Sequence, residues 1–472
     1  MRKYFLIGAS AFVLGAGTMA YLHQSATAAA PQPAGAYKMI ELFGDVVDTV
    51  ERQYVTPVDH KKLIQSAIDG MLTSLDPHSN YLDAEAYNGM RDQTRGEYGG
   101  LGIEVTSEDG VVKVISPMDD TPASKAGIKA GDYITAIDGQ SVVGLTLNDA
   151  VKQMRGKVGQ PIVLSMAREG ADPRDVTLTR EVISVKSVKD HVEGDYGYLR
   201  ISSFNEKTGE ETRNGVKDLL SKNPRMKGLV LDLRNNPGGL LDQAIEVGDV
   251  FLDGGEVVSQ RGRDPKDVER YNARPGDMLN GKPIVVLINS GSASAAEIVA
   301  GALQDRHRAE LVGITSFGKG SVQTVIPLHG GADGALKLTT ARYYTPSGRS
   351  IQKTGITPEL EVAQTREEAQ LIANRSFQFS EASFRTALNA DEGKTRVQPH
   401  EPAEEPPTGF DAKTGDFQLS RALDVLKNGG VAHTPKLPTP TPKLASVLGP
   451  KTPGKPQTTA AVTSSVPDKN GK

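Results

Sequence analysis

The stretch "KGLVLDLRNNPGGLLDQAIEVGDVFL", residues 227–252, decides the fold. An apolar run of strand length reaches Asp232 and Leu233, "NNPGG" interrupts it, and "LLDQAIEVGDVFL" then carries apolar residues at helical spacing. A strand passing through a glycine turn into a helix is the repeating half of an α/β fold. The same alternation appears on both sides. Strand-like "YGYLRISSF" (196–204) precedes helical "EKTGEETRNGVKDLLSKN" (206–223), "KPIVVLIN" (282–289) precedes "SAAEIVAGALQD" (294–305), and "ELVGITS" (310–316) follows. Residues 183–362 are therefore expected to form a mixed or parallel sheet flanked by helices, with ligand sites in loops at the carboxyl ends of its strands.

Outward from this core the texture changes. Residues 31–95 read as a helical entry region, with "IELFGDVVDTVERQYV" (40–55) and "HKKLIQSAIDGMLTSL" (60–75) apolar at three- and four-residue spacing. Residues 96–182 are a run of short β segments with two helical patches, a compact and mostly β module. Residues 363–428 are polar and partly helical, and 429–472 are rich in Pro, Thr and Lys and expected to be disordered. At the other end, residues 1–30 carry Arg2 and Lys3, an uncharged run from Tyr4 to Leu22 and small residues suited to cleavage after Ala28 or Ala30. That is the pattern of an export signal, and the run is also near the ~20 residues of a membrane anchor. Either reading places the body outside the cytoplasm, in the periplasm or cell envelope.

Composition excludes several kinds of chemistry. The 472 residues hold no cysteine, so there is no disulfide, thiolate metal site or cysteine nucleophile. With 54 Lys and Arg against 58 Asp and Glu, the net charge of −4 gives no reason to expect nucleic acid. No metal and no organic cofactor is implied.

Three loops follow core strands, and each is rich in small residues: "NNPGG" with Gly238 and Gly239, "SGSAS" at 290–294, and "TSFGKG" at 315–320. The last mimics a phosphate loop, since Gly313 stands five residues before Gly318 and Lys319. A phosphate loop needs Ser or Thr after the lysine and a helix beyond it. Here Gly320 follows, and "SVQTVIPL" (321–328) reads as a strand, so Lys319 is expected on a turn between two strands.

Ser294 opens a helix with Glu297 three residues on, which is a capping box. The same serine could act as a nucleophile, because a helix N-terminus and its free N–H groups stabilise an oxyanion. A hydroxyl then needs a base. Of eight histidines only His78, His191 and His329 stand in settings that could supply one, and none has a convincing triad context. Lys319 serves better if burial brings its amine toward neutrality. No acid lies between Ile314 and Pro327 to oppose that fall. Gln323, four residues on, would share a face with Lys319 in a regular strand and could orient the amine. The plainer reading of Lys319 is an exposed hairpin lysine.

The motifs "LDPHSNYL", "GGLGIEV", "AGIKAGDYITAIDG", "LVLDLRNNPGGLL", "GSASAAEIVAGALQD" and "SFGKGSVQ", in this order over residues 38–362, resemble those of the carboxy-terminal processing (tail-specific) proteases. The resemblance implies a crotonase-like α/β core with an inserted PDZ domain and a helical N-terminal region. It implies Ser294 as nucleophile rather than Ser292, Lys319 as base and Gln323 as the amide that orients it. The backbone N–H groups of Gly239 and Ala295 would form the oxyanion hole. Gly100, Leu101, Gly102 and Ile103 would form the loop that holds a substrate's C-terminal carboxylate while the peptide adds as a strand. The partners implied are protein substrates with accessible C-termini, with an adaptor protein or a second copy of the chain as further partners. Two other functions fit parts of the sequence: an inactive PDZ scaffold for envelope proteins, against which Ser294, Lys319 and Gln323 speak, and an acyl-CoA enzyme of similar core, against which the PDZ module and export signal speak.

Overall fold

A computed structural model describes residues 34–108, 110–168, 170–264, 266–373, 380–390 and 403–439. The export signal expected over 1–30 and most of the Pro/Thr/Lys-rich tail lie outside the described residues.

Residues up to Leu72 form a unit of their own. Its described part consists of the helix Ala34–Gln53 and nearly all of the helix His60–Thr73. On the first, Tyr37, Ile40, Phe43 and Val46 recur at helical spacing and are exposed.

The second unit starts at Thr73, and the alternating pattern of 183–362 appears in it as a six-stranded sheet. Its elements in chain order are β1 (Val188–Glu193), β2 (Tyr196–Ile201), α1 (Thr208–Lys222), β3 (Leu229–Asp232), α2 (Leu241–Phe251), β4 (Ile284–Ile288), α3 (Ala295–Asp305), β5 (Ala309–Gly313), β6 (Ser321–Pro327), β7 (Ala335–Tyr344), β8 (Leu360–Glu361) and α4 (Phe417–Asn428). Sheet order is β1-β2-β3-β4-β5-β8. Only the β1–β2 pair is antiparallel; from β2 to β8 every pairing is parallel. The carboxyl ends of β3, β4 and β5 thus lie side by side, with Asp232 opposite Leu287 and Ile288 opposite Gly313.

Side-chain alternation divides the strands between two cores. Leu229, Leu231, Ile284, Val286, Ile288 and Leu311 face the helices α1, α2 and α3. Val230, Val285, Leu287 and Val312 face the other way, onto Phe417, Ala422, Val425 and Leu426 of α4. Helix α4 falls in the polar region 363–428, yet it forms the third layer of the core. Residues 403–405 bind along the β8 edge, where Glu404 N–H donates to Glu361 O (2.8 Å) and Ala363 N–H to Glu404 O (3.0 Å). The chain stays packed beyond Asn428: Leu437 joins the second core and Thr434 is buried, so order extends past 429, where composition alone suggested disorder.

A second, antiparallel sheet is built on β7, which pairs with β6 on one side and with Asn80–Leu82 and Gly255–Arg261 on the other. The "LDPHSNYL" motif thus contributes a short strand where only helix was expected. Strands β5 and β6 belong to different sheets, so Lys319 lies not on a hairpin but on a loop, 314–320, that crosses between sheets.

The β module is a six-stranded sheet on its own core of Ile134, Ile137, Ile162, Leu164 and neighbours. Where the chain enters and leaves it, Glu97–Gly100 pairs antiparallel with Glu181–Ser184. Its ends therefore meet, as an insertion requires.

Helix α4 is latched to β3 by buried charge. Asp232 is fully buried and accepts from Tyr198 Oη (2.6 Å), Arg234 Nη2 (2.6 Å) and Arg200 Nη1 (3.1 Å). Arg234 also donates to both oxygens of Asp416, the N-cap of α4, at 2.8 and 2.7 Å. Burial works against the charge of Asp232, but Arg234 and Tyr198 outweigh it and hold the carboxyl below its ordinary range. Asp416→Ala removes the cap and leaves a buried guanidinium short of a partner. It should lower stability by about 1–3 kcal/mol, read from urea unfolding.

Candidate active site

The three small-residue loops converge at the carboxyl ends of β3, β4 and β5. After β4, Asn289 to Ala293 lead to Ser294 at the N-terminus of α3. Ser294 adopts φ 54° and ψ −113°, a left-handed conformation that a serine N-cap does not normally use and that costs about 1–3 kcal/mol. The capping-box bond from Ser294 N–H to Glu297 Oε2 is formed at 2.8 Å.

Glu297 does far more than cap. It is fully buried, and its carboxylate accepts from four groups on two loops. Oε2 takes the N–H of Ser294 and, at 2.9 Å, the N–H of Lys319. Oε1 takes Ser316 Oγ at 2.5 Å and Gly318 N–H at 2.7 Å. One oxygen is thus shared by the backbone nitrogens of Ser294 and Lys319. A further bond, Phe317 N–H to Ser292 O (3.0 Å), ties the same two loops. Burial pushes the Glu297 carboxyl up to about 7, while each of its donors favours the ionised form.

Ser292, two residues before Ser294 in the same loop, is fully buried and consumed by structure. Its Oγ donates to Leu233 O (2.8 Å) and accepts from Asn289 N–H (2.9 Å), joining the ends of β3 and β4.

Lys319 is partly buried, not an exposed hairpin residue. Loss of water, reinforced by the charge of Lys337, brings its amine down to about 8; Glu381, Glu297 and Asp76 pull the other way. The absence of nearby acids in sequence did not foretell this environment, since all three acids arrive through the fold. Burial nevertheless prevails. Among the described residues no hydrogen bond joins Lys319 Nζ to Ser294 Oγ; their connection runs through Glu297. In a free enzyme such contacts are often long and tighten on binding substrate.

Gln323 lies on β6, but a bulge between Val322 and Gln323 breaks the regular alternation that was to align it with Lys319. No hydrogen bond joins the two side chains among the described residues. Instead Gln323 Nε2 donates to Ser321 Oγ (2.9 Å) and Thr339 Oγ1 (3.3 Å). Holding the nitrogen in this way fixes the amide's orientation and leaves Oε1 as its acceptor.

The "NNPGG" loop comes against Ser294 from β3. A Cβ on Gly238 would stand 2.8 Å from Ser294 Cβ and 2.9 Å from Ala295 N, so only glycine fits there. Gly239 sits beside Phe204, whose N–H donates to Gly238 O (3.0 Å) and whose O accepts from Leu240 N–H (2.9 Å). This bridge uses the neighbours' groups and turns the N–H of Gly239 itself away from Phe204. Ala295 N–H is one of the unpaired donors of a helix's first turn.

In the β module, Gly100 ends one strand and Ile103 begins another. The carbonyls between them are occupied: Leu101 O accepts from Ala123 N–H (3.0 Å) and Gly102 O from Met118 N–H (2.8 Å). Gly102 takes φ 72°, and a Cβ there would strike Thr121 at 2.3 Å. Among the described residues the strand Ile103–Glu108 pairs with Val111–Pro117 alone, which leaves its other edge without a strand partner. Among the described residues no group of three or more His, Asp or Glu could hold a metal ion.

Sequence reasoning missed the extent of Glu297's role, which the capping-box spacing alone signalled, and the Asp76, His78 and Glu381 group near Lys319, for which it had only the "LDPHS" motif. Glu297→Gln should test the first. An amide must turn a donor toward two of the N–H or O–H donors that the carboxylate accepts, so stability should fall by roughly 2–4 kcal/mol and turnover with it. Chemical unfolding and steady-state rates check both.

Three family descriptions match the chain: Peptidase family S41 over residues 195–362, PDZ domain over 99–179, and Activating protease CtpB N-terminal domain over 11–86. A carboxy-terminal-processing protease of Bartonella bacilliformis is 52% identical over 413 residues, covering 86% of this chain and 92% of that protein. The carboxy-terminal processing protease CtpA of Bacillus subtilis is 34% identical over 362 residues, 76% of this chain and 77% of its own length. Among solved structures, a photosystem II D1 C-terminal processing protease shares 31% identity over 68% of this chain and 92% of that one, with a TM-score of 0.41. The chain belongs to peptidase family S41, among the serine-type carboxy-terminal-processing proteases that carry a PDZ domain.

Proposed function

We propose that this protein is an exported endopeptidase that captures the C-terminal end of a protein substrate in its PDZ domain and cleaves the chain with Ser294 and Lys319. The observation that carries the reading is the Glu297 oxygen shared by the N–H groups of Ser294 and Lys319, beside an amine brought to about 8 by burial. Export to the periplasm or envelope is supported by the pattern of residues 1–30, a signal that would be either cleaved or kept as an anchor.

In this mechanism neutral Lys319 takes the proton of Ser294 Oγ as the oxygen attacks the scissile carbonyl. The oxyanion forms against the N–H groups of Gly239 and Ala295. As the tetrahedral species collapses, the Lys319 ammonium returns its proton to the departing amine, leaving an acyl-enzyme. Lys319, neutral again, then deprotonates the water that attacks the ester, and its ammonium returns that proton to Ser294 Oγ as the acid product departs. Gln323 Oε1 is the acceptor that orients the amine. Because the base must be neutral, kcat/KM should rise about tenfold per pH unit below about 8 and level off above it.

Ser294→Ala should abolish cleavage of an unstructured protein by about 10³-fold or more while leaving the fold intact. Ser292→Ala should show the reverse, a loss of about 1–3 kcal/mol of stability with proteolysis retained. Lys319→Arg should be as inactive as Lys319→Ala, because a guanidinium cannot accept the hydroxyl proton. An active arginine variant would return the choice of base to the histidines.

The PDZ reading is tested separately, on full-length Ser294→Ala protein. A peptide with a free C-terminus should bind at least ~10-fold more tightly than its C-terminal amide, the worth of a charge-assisted hydrogen bond. Calorimetry showing equal affinity for the two peptides would remove the carboxylate from the model of recognition.

A further inference from the structure

Residues 380–390 lie beyond the part of the chain matched to the peptidase family, yet they pack onto the loop that carries Lys319. Ser380 is buried and Glu381 fully so. Glu381 N–H donates to Phe317 O at 3.0 Å, two residues before Lys319. Its side chain reaches two more segments. Oε1 accepts from Gln352 Nε2 at 2.9 Å, and Gln352 Oε1 in turn accepts from Gly320 N–H at 3.0 Å, one residue after Lys319. Oε2 meets His78 Nε2 at 2.7 Å. Gln352 Nε2 also donates to Leu388 O (3.3 Å), and Phe384 packs near Phe317 and His78. The Lys319 loop is thus held on both flanks by one residue, through the backbone N–H of Glu381 before the lysine and through its carboxylate and Gln352 after it.

We propose that Glu381 is a positioning residue, which seats the Lys319 loop through Phe317 and Gln352 and sets the electrostatic surroundings of the lysine. His78, from the "LDPHS" motif, fixes the carboxylate from its other side.

A fully buried carboxylate is costly unless it is paired or hydrogen-bonded, and here two separate segments, carrying Gln352 and His78, supply the partners. Four charged groups act on Lys319: Lys337 from β7, Glu297 from α3, Asp76 from the turn before Asn80–Leu82, and Glu381. Lys337 and burial oppose an ammonium; the three acids favour it, Glu381 foremost. When Lys319 accepts the serine proton, a positive charge appears in a dry site. Glu381 is placed to stabilise that charge as well as to hold the loop beneath it.

The inference rests on the Ser/Lys reading, and the experiment separates the two. Full-length Glu381→Gln, Glu381→Ala and wild type are compared by kcat, KM and the pH dependence of kcat/KM, with circular dichroism as a control for folding. Glutamine keeps an oxygen for Gln352 and removes the charge. Its rise of kcat/KM should move to lower pH by roughly 0.5–1 unit, with kcat reduced no more than about tenfold. Alanine keeps the backbone bond to Phe317 but loses the side-chain link through Gln352 to Gly320, so kcat should fall a further ~10-fold or more at a KM within about threefold of wild type. If the alanine variant does not fold, the shift in the glutamine variant decides. A wild-type rise that Glu381→Gln leaves in place would overturn the proposal alone. A wild-type profile lacking the rise near 8, or an active Lys319→Arg, would count instead against the Ser/Lys reading.

Discussion

A carboxylate with no access to water is tolerated only when donors surround it. Glu297 meets that condition by gathering donors from both sides of the catalytic centre, and the rest of the site follows from the requirement. The loop after β5 cannot drift from the start of α3 without stranding a buried charge. The strained backbone at Ser294 is held by the same atom that holds Lys319, so the serine's unfavourable geometry is maintained through its N–H bond to a buried carboxylate that the lysine loop shares. The cap, the strained serine and the Lys319 loop are therefore a single arrangement.

The sheet delivers these parts and charge keeps them in register. Parallel pairing from β2 to β8 places the ends of β3, β4 and β5 on one edge, where Ser292 cross-ties the first two and Gly238 allows the first loop to touch the second. From the opposite face, α4 holds Arg234 and so steadies the start of the "NNPGG" loop. The layer on the far face of the sheet thus contributes to the placement of the loop that carries Gly238 and Gly239.

Much of this was legible in the sequence, because the alternation of strand and helix and the small residues at strand ends are local patterns. The positions of Ser294, Lys319, Gly239 and Ala295 at adjacent strand ends could be reached from pattern and resemblance. Three features could not. The bulge at Val322 changes the strand's phase without any glycine or proline to announce it. The sheet change between β5 and β6 depends on which strands pair, and both read as ordinary β segments. The acids around Lys319 come from positions 76, 297 and 381, and proximity across that range has no periodic signature. Likewise α4 looks polar in sequence because Gln418 and Arg421 are buried with hydrogen-bond partners while Ser420, Lys427 and Asn428 face solvent, and its apolar stripe completes the core.

The β module's first and last strands are neighbours in space, Glu97–Gly100 against Glu181–Ser184. A guest whose two ends meet imposes no span on its host: the core needs only two adjoining attachment points, whatever the size or shape of what hangs between them. Recognition can therefore diversify by insertion, exchange or loss of the module while the hydrolytic machinery is inherited unchanged. The loop proposed to hold the carboxylate starts at Gly100, the last residue of one of those paired strands. On that proposal the seam and the sensor share residues, so a change in what is recognised would bear directly on how the two parts are joined.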